Sequence, residues 1–102
     1  MTKTYFDFED GIGPVPAHRH PHGGGWVADT AKVDETAFVG EHSKVYDNAE
    51  VYGNAMVFGG AEVFGNAKVY GNAQVFDDAK VSEDAQVFGN AKVAGDAMVY
   101  GD

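Results

Sequence analysis

The chain has 102 residues, with 16 acidic against 7 basic side chains and a formal net charge of -9. That balance repels phosphate backbones and anionic headgroups, so nucleic acid and anionic membrane surfaces are not expected as partners. With no Cys, disulfides and thiolate metal sites are excluded too.

The opening residues Met1-Thr2-Lys3-Thr4-Tyr5 are polar and no apolar run follows them. No secretory leader and no bilayer-spanning segment are therefore expected, and synthesis is expected in the cytoplasm. Residues 1–26 have no period and are expected to form an irregular cap. Within them, residues 4–8 (Thr-Tyr-Phe-Asp-Phe) read as a short strand, and Asp10-Gly11-Ile12-Gly13-Pro14-Val15-Pro16 reads as a loop. Tyr5, Phe6, Phe8 and Trp26 are expected to cover Val27.

His18-Arg19-His20-Pro21-His22 is the one chemically suggestive cluster. In an extended segment, alternation places His18, His20 and His22 on one side. Neutral imidazoles are good ligands for Zn, Ni, Cu or Fe. The competing readings are a solvated His-rich loop and a His packed on the Gly23-Gly24-Gly25 turn with no metal.

From residue 27 the chain changes character. Val stands at every sixth position from Val27 to Val99, and a small residue follows four places later, Ala throughout except Ser43. A typical unit reads Val69-Tyr70-Gly71-Asn72-Ala73-Gln74. Ala and Val two apart share one strand face, and the residues beside them point the other way. Gly-Asn, at 53–54, 65–66, 71–72 and 89–90, supplies corners that need the left-handed backbone region. Val at period six makes no stripe on a helix. Uniform two-residue corners suit a coil better than a zigzag. Three strand-corner units per turn predict an 18-residue coil, a triangular prism lined by Val and Ala, with successive coils about 4.8 Å apart.

The Val-x-x-x-Ala-x period over residues 27–102 resembles the hexapeptide-repeat family. The resemblance implies an all-β fold, a left-handed parallel β-helix of about four coils behind an irregular N-terminal cap (1–26). The handedness comes from the resemblance alone, since β crossovers otherwise favour the right hand. The chain departs from the family in placing aromatics after Val, where small or acidic residues are usual.

Sorted by the 18-residue coil, those outward side chains fall on three faces. One carries Trp26, Tyr46, Phe64, Met98 and Tyr100. A second carries Phe38, Met56, Phe58 and Phe76. The third carries Tyr52, Tyr70 and Phe88 between Lys32, Glu50, Lys68 and Gln86. They are either β-forming residues on a solvated surface or a subunit interface. The resemblance implies a homotrimer, which would bury Phe38, Tyr46, Met56, Phe58, Phe64, Phe76, Met98 and Tyr100. A core of Val and Ala alone is thin for a small domain, which favours association. The pattern stops at Asp102 without a cap, so the expectation is either a piece of a longer chain or an end that stacks end-to-end on a partner, with Asp96 and Asp102 partly guarding the open edge. On a trimer axis, two His per chain would give six nitrogens; His18/His20 or His20/His22 resemble the His-x-His of trimeric phage spike tips.

Many members of the family are acyltransferases that use CoA or acyl-carrier-protein thioesters with a His base. His42, beside Glu41, is the only His within the repeats. Against that role stand unbroken hexads, no closing extension and no basic cluster for CoA phosphates. A single repeat His cannot supply the three metal ligands of a γ-class carbonic anhydrase. Thr30 and Thr36 do not continue into the ranks that ice binding needs. Asp77, Asp78, Glu83 and Asp84 lack the nonapeptide spacing of Ca²⁺-binding β-rolls, so solubility is their expected role. The expectation is a non-enzymatic scaffold or adhesive module with no cofactor, such as a segment of a phage fibre or surface protein. The acyltransferase with His42 as base is the alternative.

Overall fold

The computed structural model describes residues 4–8 and 11–100, and every regular element among them is a strand. The repeat region is a β-solenoid of about four coils. Each hexad contributes one outward residue and one Val as a two-residue strand, starting with β3 (Trp26–Ala28), β4 (Lys32–Val33) and β5 (Phe38–Val39) and ending at Met98–Val99. Each strand pairs in parallel with its counterpart three hexads on, as Lys68 with Gln86 and Val69 with Val87. Lys68 N donates to Ala85 O at 3.0 Å and Tyr70 N to Val87 O at 2.9 Å, so backbone bonds join coil to coil. The coil length expected from the period is what forms.

Three parallel ladders result. The first runs β3, Lys44–Val45, Glu62–Val63, Lys80–Val81 and Met98–Val99; the second starts at β4 and the third at β5. Val and Ala point inward and fill the lumen, with Val39, Val57, Val69 and Val81 fully buried. Each buried Val contributes roughly 1.5–3 kcal/mol. Ser43, the one exception in the small-residue column, is also fully buried, and its Oγ donates to Gly59 O at 3.1 Å.

Corners follow the ladder. Gly59 has φ 67°, and a Cβ there would meet Asp77 N at 2.8 Å, so this corner needs Gly for both reasons. Asp47, Asp77 and Glu83 take the same left-handed conformation without being Gly, with φ between 58° and 60°. Asp47 and Asp77 offset part of that strain, because Oδ2 of each accepts from a backbone N–H one coil on, Gly65 at 3.1 Å and Gly95 at 3.2 Å.

The N-terminal segment is more regular than expected. β1 (Tyr5–Asp7) pairs antiparallel with β2 (Pro14–Arg19), and β2 pairs antiparallel with β3. Pro14, Val15 and Pro16, read as loop, are therefore strand; Pro is tolerated because the flanking residues carry the pairing. The pair does not cover Val27 from the end. It curls over the outer face of the first ladder: Phe6 stacks on Trp26 at 4.5 Å, Phe8 stacks on Tyr46 at 4.7 Å, and Tyr5 stays exposed. These rings, with Val15, Ala17, Ala28 and Phe64, make a second apolar cluster outside the lumen. The end of the lumen is closed instead by residues 20–25. Gly25 N donates to Val39 O at 2.9 Å and Val39 N to His22 O at 3.0 Å. A Cβ on Gly23 or Gly25 would collide with Val39, so the Gly run sets how closely this turn approaches.

Candidate functional site

The arm formed by β1 and β2 crosses a corner of the solenoid and leaves a groove of about 520 Å³ between them. One wall is apolar, built from Phe8, Val15, Pro16, Ala28 and Tyr46, with Ile12 at the lip. Ile12 is 71% exposed there. The other wall is the corner column, where Asp29, Thr30, Asp47, Asn48 and Asn66 succeed one another from coil to coil. Repetition of the backbone places Asp29 and Asp47 one coil apart, at a ladder spacing of about 4.8 Å. Thr30 Oγ1 donates to Asp47 O, and Gly65 N donates to Asp47 Oδ2. His18 Nδ1 lies 2.8 Å from Asp29 Oδ1.

The three imidazoles of the N-terminal cluster are not brought together. His18 faces Asp29. His20 is 3% exposed, and its Nε2 lies 2.8 Å from Ala37 O. A carbonyl only accepts, so Nε2 carries the proton. His22 is exposed and meets Phe38 edge-on at 5.1 Å. β2 ends at Arg19 and a turn follows at 21–23, so the alternation that would align the rings ends before His20. Among the described residues no group of three or more His, Asp or Glu side chains stands close enough to hold a metal ion. With Nε2 committed to Ala37, only Nδ1 of His20 is left to act as a ligand.

His42 is exposed at a corner and lines a second, smaller groove with Arg19, Trp26, Glu41 and Lys44. Arg19 is held there: its guanidinium lies 4.7 Å from the Trp26 ring centroid and donates to Gly24 O at 3.0 Å. Along the chain only Lys44 stands close to His42; the arm supplies Arg19 as a second cation. Of the corner carboxylates, Asp77 is tied to Gly95 N, and Asp84 Oδ1 accepts from Asn66 at 3.5 Å.

The outward rings form ladders. Tyr46 and Phe64 stack at 4.9 Å, Phe58 and Phe76 at 5.0 Å, Tyr52 and Tyr70 at 4.9 Å, and Tyr70 and Phe88 at 5.3 Å. Each ring thus covers the face of the next and shows mainly its edge to solvent. Tyr46, expected to point outward into a subunit interface, is 5% exposed because Phe8 of the same chain covers it. Phe38, Phe58, Phe64 and Phe76 are half-buried; Met56 is exposed, and Met98 and Tyr100 are each 63% exposed. Asp102 lies outside the described residues.

The groove under the arm escaped the sequence reading. Its one available signal was that Asp29 and Asp47 fall in the same column, one coil apart; which segment would cover them had no signal. No family model matches the chain, and no curated protein and no solved structure matches it significantly.

Proposed function

We propose that the chain is a non-enzymatic structural module, a rigid spacer or scaffold of the hexapeptide-repeat type. In this reading the solenoid is a left-handed, three-sided β-helix that associates as a homotrimer, as in a fibre or surface protein of a phage or bacterium. The observation that carries it is the unbroken register: strands three hexads apart pair from β3 to Met98–Val99 with no insertion between hexads. Such a ladder resists bending and proteolysis and leaves few irregular loops for chemistry.

Ring stacking within the chain accounts for part of the aromatic rows, at about 0.5–1.5 kcal/mol per pair. The case for association therefore rests on what stacking leaves uncovered: the edges of Phe58 and Phe76 with Met56 on the third ladder, and Met98 and Tyr100 on the first. Mass in solution by light scattering tests the proposal. A mass near three chains supports it; a single-chain mass at all concentrations removes the trimer.

The second reading is an acyltransferase-like protein with His42 as base. The specific observation in its favour is that Arg19 and Lys44 line the groove beside His42. Glu41 in the same groove opposes the CoA phosphates. Saturable CoA binding abolished in Arg19→Gln, with acyl transfer lost in His42→Ala, would replace the structural reading.

A further inference from the structure

The groove under the arm has a chemical polarity that the spacer role does not use. Its apolar side is half-buried Val15 and Pro16 over the buried rings of Phe8 and Tyr46, and Ile12 extends that surface into solvent at the lip. An aliphatic side chain so exposed beside an apolar groove gains by being covered. Two carboxylates, Asp29 and Asp47, stand on the opposite wall, and among the described residues no Lys or Arg lines the groove. His18, outside the lining, is paired with Asp29 at 2.8 Å. A carboxylate has about four acceptor positions. Gly65 N takes one on Asp47.

We propose that this groove binds a small amphipathic cation, a primary ammonium on an aliphatic or aromatic body. The body lies on Ile12, Val15 and Pro16, backed by the buried rings of Phe8 and Tyr46, and the ammonium sits against Asp47 with the His18-paired Asp29 beside it. Charge complementarity selects this occupant. An ammonium donor matches the acceptor positions of Asp47 beyond the one taken by Gly65 N, and the net charge of -9 draws cations from a distance. A fatty acid would meet the same apolar floor but two like charges. A volume near 520 Å³ falls in the range of small-molecule sites. The inference does not depend on the trimer.

The test uses three probes of matched length: hexylammonium, hexanol and hexanoate. Each is titrated into the whole chain at neutral pH and low salt, with amide and side-chain shifts followed by NMR. Hexylammonium is expected to saturate and to move Ile12, Tyr46 and Asp47, with hexanol at least about five-fold weaker and hexanoate at least about ten-fold weaker. Asp47→Asn keeps an acceptor for Gly65 N and tolerates a positive φ, so the fold is expected to survive. It should weaken hexylammonium about ten-fold and leave hexanol unchanged. Ile12→Ser, at an exposed position, should weaken hexylammonium and hexanol alike. Equal binding of hexylammonium and hexanoate, shifts spread over the acidic corners without Tyr46, or no saturation would each overturn the proposal. If Asp47→Asn unfolds, the probe series on the parent chain and Ile12→Ser still decide it.

Discussion

Nε2 of His20 lies 2.8 Å from the carbonyl oxygen of Ala37 and donates to it from an almost fully buried side chain. This one bond joins the N-terminal turn to the rim of the first coil. It makes His20 a plug for the lumen, with Nε2 committed to the backbone. His20→Ala would leave Ala37 O without that donor and open a void at the end of the Val column. The expected cost is about 1–3 kcal/mol, measured by urea unfolding. His20→Gln, which keeps a donor, should lose less. A loss below about 0.5 kcal/mol for His20→Ala would mean that water replaces the ring.

Phe8 docks the arm. Phe8→Ala removes its stack on Tyr46 and its burial in the outer cluster, worth about 3–5 kcal/mol for a buried ring. The arm's apolar cluster is separate from the lumen, so the loss should be local. Hydrogen exchange is expected to speed at Ala17 N, which donates to Thr4 O, and to stay slow at Lys68 N. Equal acceleration at both would show that arm and solenoid unfold together.

Glu83 and Asp77 share a strained conformation, and the balance of terms differs between them. A non-Gly residue in the left-handed region costs roughly 1–2 kcal/mol, and Gly loses about 0.5–1 kcal/mol more chain entropy on folding. Glu83→Gly should therefore stabilise by about 0.5–1 kcal/mol. Asp77→Gly also forfeits the Asp77 Oδ2 bond to Gly95 N, worth about 0.5–1.5 kcal/mol, so it should be near neutral. Thermal melts of the two variants decide this, and Asp77→Gly raising Tm as much as Glu83→Gly would refute it.

Phe58→Glu places a charge among the ring edges of the third ladder, where like charges and desolvation oppose contact between copies. In the trimer reading it should yield monomers that keep the β spectrum of the parent. Tyr46→Phe, inside the arm cluster, should leave the mass unchanged. It removes only the Tyr46 hydroxyl that donates to Glu62 Oε1 at 3.0 Å. An unchanged mass for Phe58→Glu would move the interface off this ladder.

Val63→Ala opens a hole in a column of Val stacked coil upon coil, with Val45 on one side and Val81 on the other. The expected cost is about 2–4 kcal/mol. Ser43→Ala restores the Ala of the other hexads and loses the bond to Gly59 O. Its cost should stay under about 1 kcal/mol. Denaturant midpoints that fail to separate the two variants would show that the lumen is loosely packed.

The solenoid was legible because its repeat states one physical instruction many times. Val57, Val63 and Val69 each occupy the same position in a strand, and pairing between neighbouring coils satisfies every inward Val at once. The grouping of Tyr52 with Tyr70 and Phe88, and of Phe58 with Phe76, followed from the same arithmetic and is what the ring ladders realise. The arm was not legible, because residues 4–26 are read once and have no period. Alternation placed His18, His20 and His22 on one side, but it holds only while the strand continues, and β2 ends at Arg19. Coil length, lumen residues and the pairing of outward side chains were already legible in the chain, since a side-chain period of two and a corner every six residues keep like positions in phase from coil to coil. Packing in three dimensions added the rest: Phe6 and Phe8 fold back onto Trp26 and Tyr46, His20 turns inward to Ala37, and Asp29 and Asp47 share a groove with Ile12. Those contacts join segments of unlike sequence, and their geometry is set by packing shape and by the single point where the strand breaks.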